Sequence, residues 1–187
     1  TLFYFYRKNK EDKYLEPVEK LLFNVCSRGL YDHLSGGIAR YTVDAEWIIP
    51  HFEKMLYDNI LFIDLLSQFY QFTQKNYYKE KLIQTIHFIS KEFINKDGLL
   101  GSAYDADSEG VEGKFYVWGY KELEEILKSD FDFFKEKFDI SEIGNWENKN
   151  ILIEKNQIEL SDIEKNKLIK IKKKLNNERN KRIKPFF

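Results

Sequence analysis

The stretch from Pro50 to Phe72 does most to constrain what this chain can fold into. Met55, Leu56, Ile60, Ile63, Leu66, Phe69 and Tyr70 recur at three- and four-residue spacing. This broad apolar face predicts a helix over 52–72, with Pro50 as its start signal. Such a helix must bury its stripe against other elements, and the sequence offers two more of the same kind. Leu15, Val18, Leu22, Val25 and Cys26 predict a helix over 11–31, beginning near Glu16 so that Pro17 falls in its first turn. Leu82, Ile83, Ile86, Ile89, Phe93 and Ile94 predict an inward face on a helix over 77–95, stopped by Lys96-Asp97-Gly98.

Past that stop the pattern changes. An acidic loop over 101–113 leads into alternating residues at 114–118, which predict a short strand. Short helices are predicted at 120–128 and 131–138, and Ile151-Leu152-Ile153 reads as a second short strand. Ser161 followed by Glu164 matches a capping box opening a last helix that reaches about Arg182. The chain therefore reads as mainly α, with short β-strands in the connecting loops. Ser35-Gly36-Gly37 through Trp47, and Asp97-Gly98 through Trp118, echo one another as loops between helices, as in a ring of helical hairpins.

Composition removes several classes of function. With 43% hydrophobic and 17% aromatic residues in 187, the chain can offset its ordering entropy and is not disordered. Nine Gly and three Pro exclude collagen-like and linker-like chains. No run approaches the ~18 apolar residues of a membrane span, and no basic region with an apolar stretch marks a secretory signal. Cys26 is the single cysteine, so an internal disulfide and a cysteine-based zinc site are both excluded, and a reducing, cytoplasmic setting is expected. A net charge of -1 does not point to nucleic acid. The charge is uneven, however. Over 164–187, ten basic residues against two acids leave +8, so 1–163 carry -9. The basic run is read as one solvated helix face.

Three constellations could carry chemistry. Gly36 and Gly37 precede Arg40, Tyr41 and Asp44; the glycines permit close backbone approach, and Arg40 either recognises a hydroxyl or carboxylate or pairs with Asp44 or Glu46. Pro50 to Asn59 packs His51, Glu53, Lys54, Tyr57 and Asp58 into the opening turns of the predicted helix, with His51, Lys54, Met55 and Asp58 along one stripe. A histidine there can act as acid or base near neutrality. Asp105, Asp107 and Glu109 with Gly110 imitate the opening of a calcium loop, but position twelve falls on Tyr116 where a glutamate is needed. A carboxylate pair dividing acid and base roles is the sharper reading, and neither a metal nor a cofactor is expected. His87 reads as surface or core packing, and His33 as a partner of a helix dipole.

Taken in order, these stretches resemble the spermatogenesis-associated protein 20 family, whose bacterial and archaeal members are usually called thioredoxin-domain-containing proteins. Tyr31-Asp32-His33-Leu34-Ser35-Gly36-Gly37 with Arg40-Tyr41-Thr42-Val43-Asp44 carries the first part of the resemblance. Pro50-His51-Phe52-Glu53-Lys54-Met55-Leu56-Tyr57-Asp58-Asn59 carries the second, and 105–118 and 144–152 add two further signatures over a total span of roughly 20–185. Ser35, Ile38 and Ala39 stand where the family commonly has glycine, an aromatic and a histidine; Leu99, Gly101 and Tyr104 are further departures.

The resemblance implies a larger parent with a thioredoxin-like domain followed by an (α/α)6 toroid like that of N-acylglucosamine 2-epimerases and six-hairpin glycosidases. Residues 1–187 would be a single partial toroid segment, without the thioredoxin-like domain and the remaining hairpins. The expected function is acid–base chemistry on a sugar, epimerase- or glycosidase-like, with His51, Glu53 and Asp107 as catalytic residues. Arg40, Tyr41, Lys54, Tyr57, Asp58, Asp105 and Trp118 would bind the substrate. The rival readings are a non-catalytic interaction or redox-accessory module, and a part ring that is inactive alone. A part ring would leave helix faces exposed to self-association.

Overall fold

The structure, a computed structural model, describes residues 2–155 and 160–187. It is mainly helical. Helices α1 (Leu2–Asn9) and α2 (Asp12–Ser27) pack together, as do α3 (Leu56–Thr73) and α4 (Asn76–Phe88), which continues into a π-turn at Ile89–Phe93. Two short helices, α5 (Tyr120–Leu127) and α6 (Phe131–Lys137), follow at the predicted places, and α7 (Asp162–Arg179) closes the chain. The capping box at α7 forms as the sequence predicts: Ser161 Oγ accepts from the Glu164 amide, and the Ser161 amide donates to Glu164 Oε2 at 3.0 Å.

Three two-residue ladders tie the loops. β1 (Tyr41–Thr42) pairs antiparallel with β2 (Pro50–His51), β3 (Lys54–Met55) with β4 (Ala103–Tyr104), and β5 (Asp107–Ser108) with β6 (Val111–Glu112). These ladders overturn part of the predicted helix over 52–72. Phe52 to Met55 is extended and α3 starts only at Leu56, because Lys54 and Met55 pair with residues about fifty positions downstream. The single stripe of His51, Lys54, Met55 and Asp58 therefore does not exist.

Other boundaries shift for local reasons. α2 begins at Asp12, which leaves Pro17 inside the helix and exposed, and ends at Ser27 instead of near Tyr31. On α4 the buried side chains are Tyr78, Lys81, Thr85 and Phe88, while Ile83 and Ile86 are exposed, as is Ile94 beyond it. The inward face was misplaced because Lys81 and Thr85 are buried by their partners. Residues 113–116 form a turn, and only Trp118 bridges, to Asn150. Ile151, Leu152 and Ile153 are all buried and form no strand; burial, not pairing, explains that apolar triplet.

The core has two main parts. One joins Phe3, Leu22, Tyr31, Leu66, Phe69 and Tyr78, uniting α1–α4. The other joins Trp118, Leu123, Phe134, Phe138, Ile171 and Leu175, uniting α5–α7. Asn59, fully buried on α3, links helix to loop: its Oδ1 accepts from the Ile38 amide at 2.8 Å, and its Nδ2 donates to the Ile38 and Met55 carbonyls. The preceding Gly37 has φ +80°, and a Cβ there would lie 2.4 Å from the Phe88 ring, so no larger residue fits. Among the described residues no helix is long and apolar enough to cross a membrane.

Candidate functional site

Extended backbone at 50–55 sends alternate side chains to opposite sides. His51 and Glu53 go one way, Phe52 and Lys54 the other. On the outer side, His51 lies across from Tyr41 in the β1–β2 ladder and stacks on its ring at 5.0 Å. The Asp44 carboxylate accepts from the Ile48 and Ile49 amides and so closes the β1–β2 loop. Arg40 is thereby left to Glu53, to which its Nη1 donates at 2.9 Å. The alternative pairings of Arg40 with Asp44 or Glu46 are not the ones formed.

The hairpin β5–β6 turns through Glu109 and Gly110, both at positive φ, and swings Glu112 onto His51. His51 Nδ1–H donates to Glu112 Oε1 at 2.8 Å, and Nε2 lies 3.7 Å from Glu53 Oε2. A carboxylate on Nδ1 fixes the tautomer and leaves Nε2 as the basic nitrogen. His51 is 28% exposed and Arg40 and Glu112 each 43%, so this group can meet a solute. Tyr57, which interacts with Arg40, and Asp58 lie on the same side. Burial, reinforced by the nearby Glu53, raises the Asp58 carboxyl above its usual range against the pull of Arg40, and its Oδ2 is buried without a partner.

Six sequence-derived candidates thus gather: Arg40, Tyr41, His51, Glu53, Tyr57 and Asp58. Glu112 joins them, a residue of the acidic loop whose part in the site is set by its contact with His51 and by no local motif. Asp107 is its cross-strand partner and, with Asp105, stands exposed on the hairpin, one neighbour removed from the histidine. Trp118 is fully buried, with the Arg182 guanidinium 4.0 Å from its ring, and so offers no face to a sugar. Among the described residues no three His, Cys, Asp or Glu side chains gather as metal ligands.

Lys54 goes to the inner side. It is 3% exposed, donates to Asp32 Oδ2 at 2.8 Å and to the Gly36 carbonyl, and sits 4.3 Å from the centre of the Phe88 ring. Arg179, from the end of α7, donates to Asp32 Oδ1 at 2.9 Å and to Ser35 Oγ. Despite its burial, the Asp32 carboxyl is held well below the usual carboxylate range by Arg179 and Lys54. Arg182 donates to the Phe115 and Val117 carbonyls and to Glu122. The basic run is therefore only partly a solvated face. Lys165, Lys170, Lys173 and Lys174 are exposed, whereas Arg179 and Arg182 clamp the loops that carry the site.

A second buried network surrounds Glu154, which pairs with Lys81 at 2.9 Å and Lys172 at 3.2 Å and accepts from the Tyr77 hydroxyl. His33, 2% exposed, belongs here and not to a helix dipole. Its Nε2–H donates to the Arg28 carbonyl at 3.1 Å, and its Nδ1 lies 3.4 Å from Lys81 and 3.3 Å from Glu154. Burial, then Lys81, lower its pKa; the opposing pull of Glu154 does not overcome them, and the ring is neutral. The unfolded chain therefore takes up a proton near pH 6.5 that the folded chain refuses, so stability is full above that pH and declines below it. The expected loss is at most about 1.4 kcal/mol per pH unit. Urea midpoints at pH 7.5 and 5.5 should differ in the native protein and differ less in His33→Gln. Cys26 lies in the same region; burial pushes its thiol up to about 12, which makes it an inert core residue.

Against this geometry, comparison with known proteins is informative. No family model matches the chain. It is 33% identical over 156 residues to an uncharacterized protein of Caenorhabditis elegans, covering 74% of this chain and 21% of that protein. It is 33% identical over 109 residues to human spermatogenesis-associated protein 20, covering 55% of this chain and 14% of the human one. The mouse protein of that name is 29% identical over 137 residues, covering 65% of this chain and 17% of the relative. The chain thus spans about a fifth or less of the length of these relatives. With its motifs in the order the resemblance requires, the chain is similar over part of its length to proteins named spermatogenesis-associated protein 20, which supports that family.

Proposed function

We propose that this chain is a carbohydrate-processing module, a segment of an (α/α)6 toroid whose hairpins α1–α2 and α3–α4 are successive units of the ring. The observation that supports it is the His51 group: one histidine held by Glu112 at Nδ1, with Glu53 near Nε2, an aromatic ring stacked behind it and an accessible arginine beside it. In this reading Nε2 removes the proton from the carbon beside a sugar carbonyl. The electron pair passes to the carbonyl oxygen, and a carboxylic acid, Glu53 or Asp107, returns a proton to the opposite face. Arg40, Tyr57 and Asp58 orient hydroxyls. A glycosidase-like use of the same acid and base is the variant for a glycoside substrate.

The test is proton NMR in deuterium oxide with free aldoses, ketoses and N-acylamino sugars. Deuterium should enter beside the carbonyl of one of them, at a rate cut at least about 10²-fold in His51→Ala. Equal exchange in native protein and variant removes His51 from the mechanism. Absence of exchange with every sugar, with no sugar raising the melting temperature, favours a non-catalytic module. The burial of Lys54 and Trp118 favours that second reading, since both serve the interior.

A further inference from the structure

The interior carries more positive than negative charge. Asp32 and Glu154 are the carboxylates of the buried networks, whereas Lys54, Arg179, Lys81 and Lys172 supply four cations, and His33 between them is neutral. Each network thus holds two cations against one carboxylate, which leaves an excess of +1 beside Asp32 and another beside Glu154. Glu92, which also acts on Lys54, is engaged by Lys184 at 2.7 Å and by the Tyr104 hydroxyl; Glu80, which acts on Lys172, is exposed. The Asp32 carboxylate is already saturated. Its Oδ1 accepts from the Leu34 and Ser35 amides and Arg179, and its Oδ2 from Ser35 Oγ and Lys54. Uncompensated buried cations are costly.

Two further facts locate a remedy. Arg179 is 3% exposed, yet its Nε is buried with no hydrogen-bond partner. Arg179 and Lys54 both line a partly open cavity of about 30 Å³, whose other walls include the paired Asp32, His33, Leu30, Ala39, Phe52 and Ile151, and also a neighbouring one of about 20 Å³. The larger holds roughly one or two water-sized bodies and is too small for a sugar or a phosphate ester. Apolar walls lower the local dielectric and strengthen any ion pair formed there.

We propose that the larger cavity is a binding site for one small monovalent anion of halide size, held between the Arg179 Nε–H and the Lys54 ammonium. A water molecule would satisfy the Nε donor but leave the charge imbalance. The anion would offset both, and it would brace the junction between α7, the 32–37 loop and β3. This role is independent of the sugar chemistry on the outer side.

The test follows the melting temperature of the purified chain as sodium chloride replaces sodium gluconate at constant ionic strength. A saturable rise of about 5 °C is expected at a hundredfold excess over the dissociation constant. It should be accompanied by saturable broadening of the chloride NMR line. Arg179→Lys keeps the charge but lacks the Nε donor, and it should shift half-saturation upward about tenfold while the chain remains folded. A melting temperature that follows ionic strength alone, with no saturable broadening, means the cavity holds only water and overturns the proposal. So does an unchanged titration in Arg179→Lys.

Discussion

Replacing Asp32 by alanine is expected to cost about 3–5 kcal/mol, the range seen when one partner of a buried ion pair is removed. The reason lies in what remains. Lys54 and Arg179 would still be buried, now without the one carboxylate between them, and would repel each other across the space it left. The Leu34 and Ser35 amides would lose their acceptor at the same time. Since a domain of this kind holds only about 5–15 kcal/mol in total, the variant should sit near the edge of unfolding. Asp32→Asn, which keeps the shape and one acceptor oxygen but not the charge, should fall between. The measurement is the urea midpoint, with the slope unchanged if only the native state is affected. A loss below about 1 kcal/mol would mean that water enters and shields the pair.

Trp118→Ala is the second large effect, again about 3–5 kcal/mol, the usual cost of emptying a buried aromatic site. The indole is fully buried against the cluster of Leu123, Phe134 and Leu175, and the Arg182 guanidinium covers its face at 4.0 Å. Its backbone exchanges two hydrogen bonds with Asn150. Truncation would leave Arg182 over a void and loosen its grip on the Phe115 and Val117 carbonyls, which position the loop preceding α5. Trp118→Phe should recover much of the loss by refilling the ring site. Calorimetric melting distinguishes this structural role from a sugar-stacking platform, because truncating an exposed platform would leave the melting temperature nearly unchanged.

What the sequence revealed, and what it concealed, follows from the range of the forces involved. The body of α3, both short helices and the start of α7 were legible because periodicity and capping act within a few residues; Ser161 and Glu164 satisfy one another locally. The extended run from Phe52 to Met55 was not, since its partner strand lies about fifty residues away and nothing in the local spacing reports it. For the same reason Lys54 and His51, three residues apart, were assigned to one surface when the pleat sends them to opposite sides. Arg179 was hidden inside a run of ten basic residues, and its interior role shows only once α7 is docked against Asp32. The acidic loop was recognised as a source of carboxylates, but which one meets His51 is decided by hairpin register, and register selected Glu112.

The central claim is that the motif from Pro50 to Asn59 has two faces, an outer one free for chemistry and an inner one that holds the fold. Urea unfolding of His51→Ala beside Asp32→Ala tests it most directly. The account predicts that His51→Ala stays within about 0.5 kcal/mol of the native protein, as a partly exposed substitution should, while Asp32→Ala loses several. A loss in His51→Ala as large as that in Asp32→Ala would contradict it, for the histidine would then belong to the scaffold.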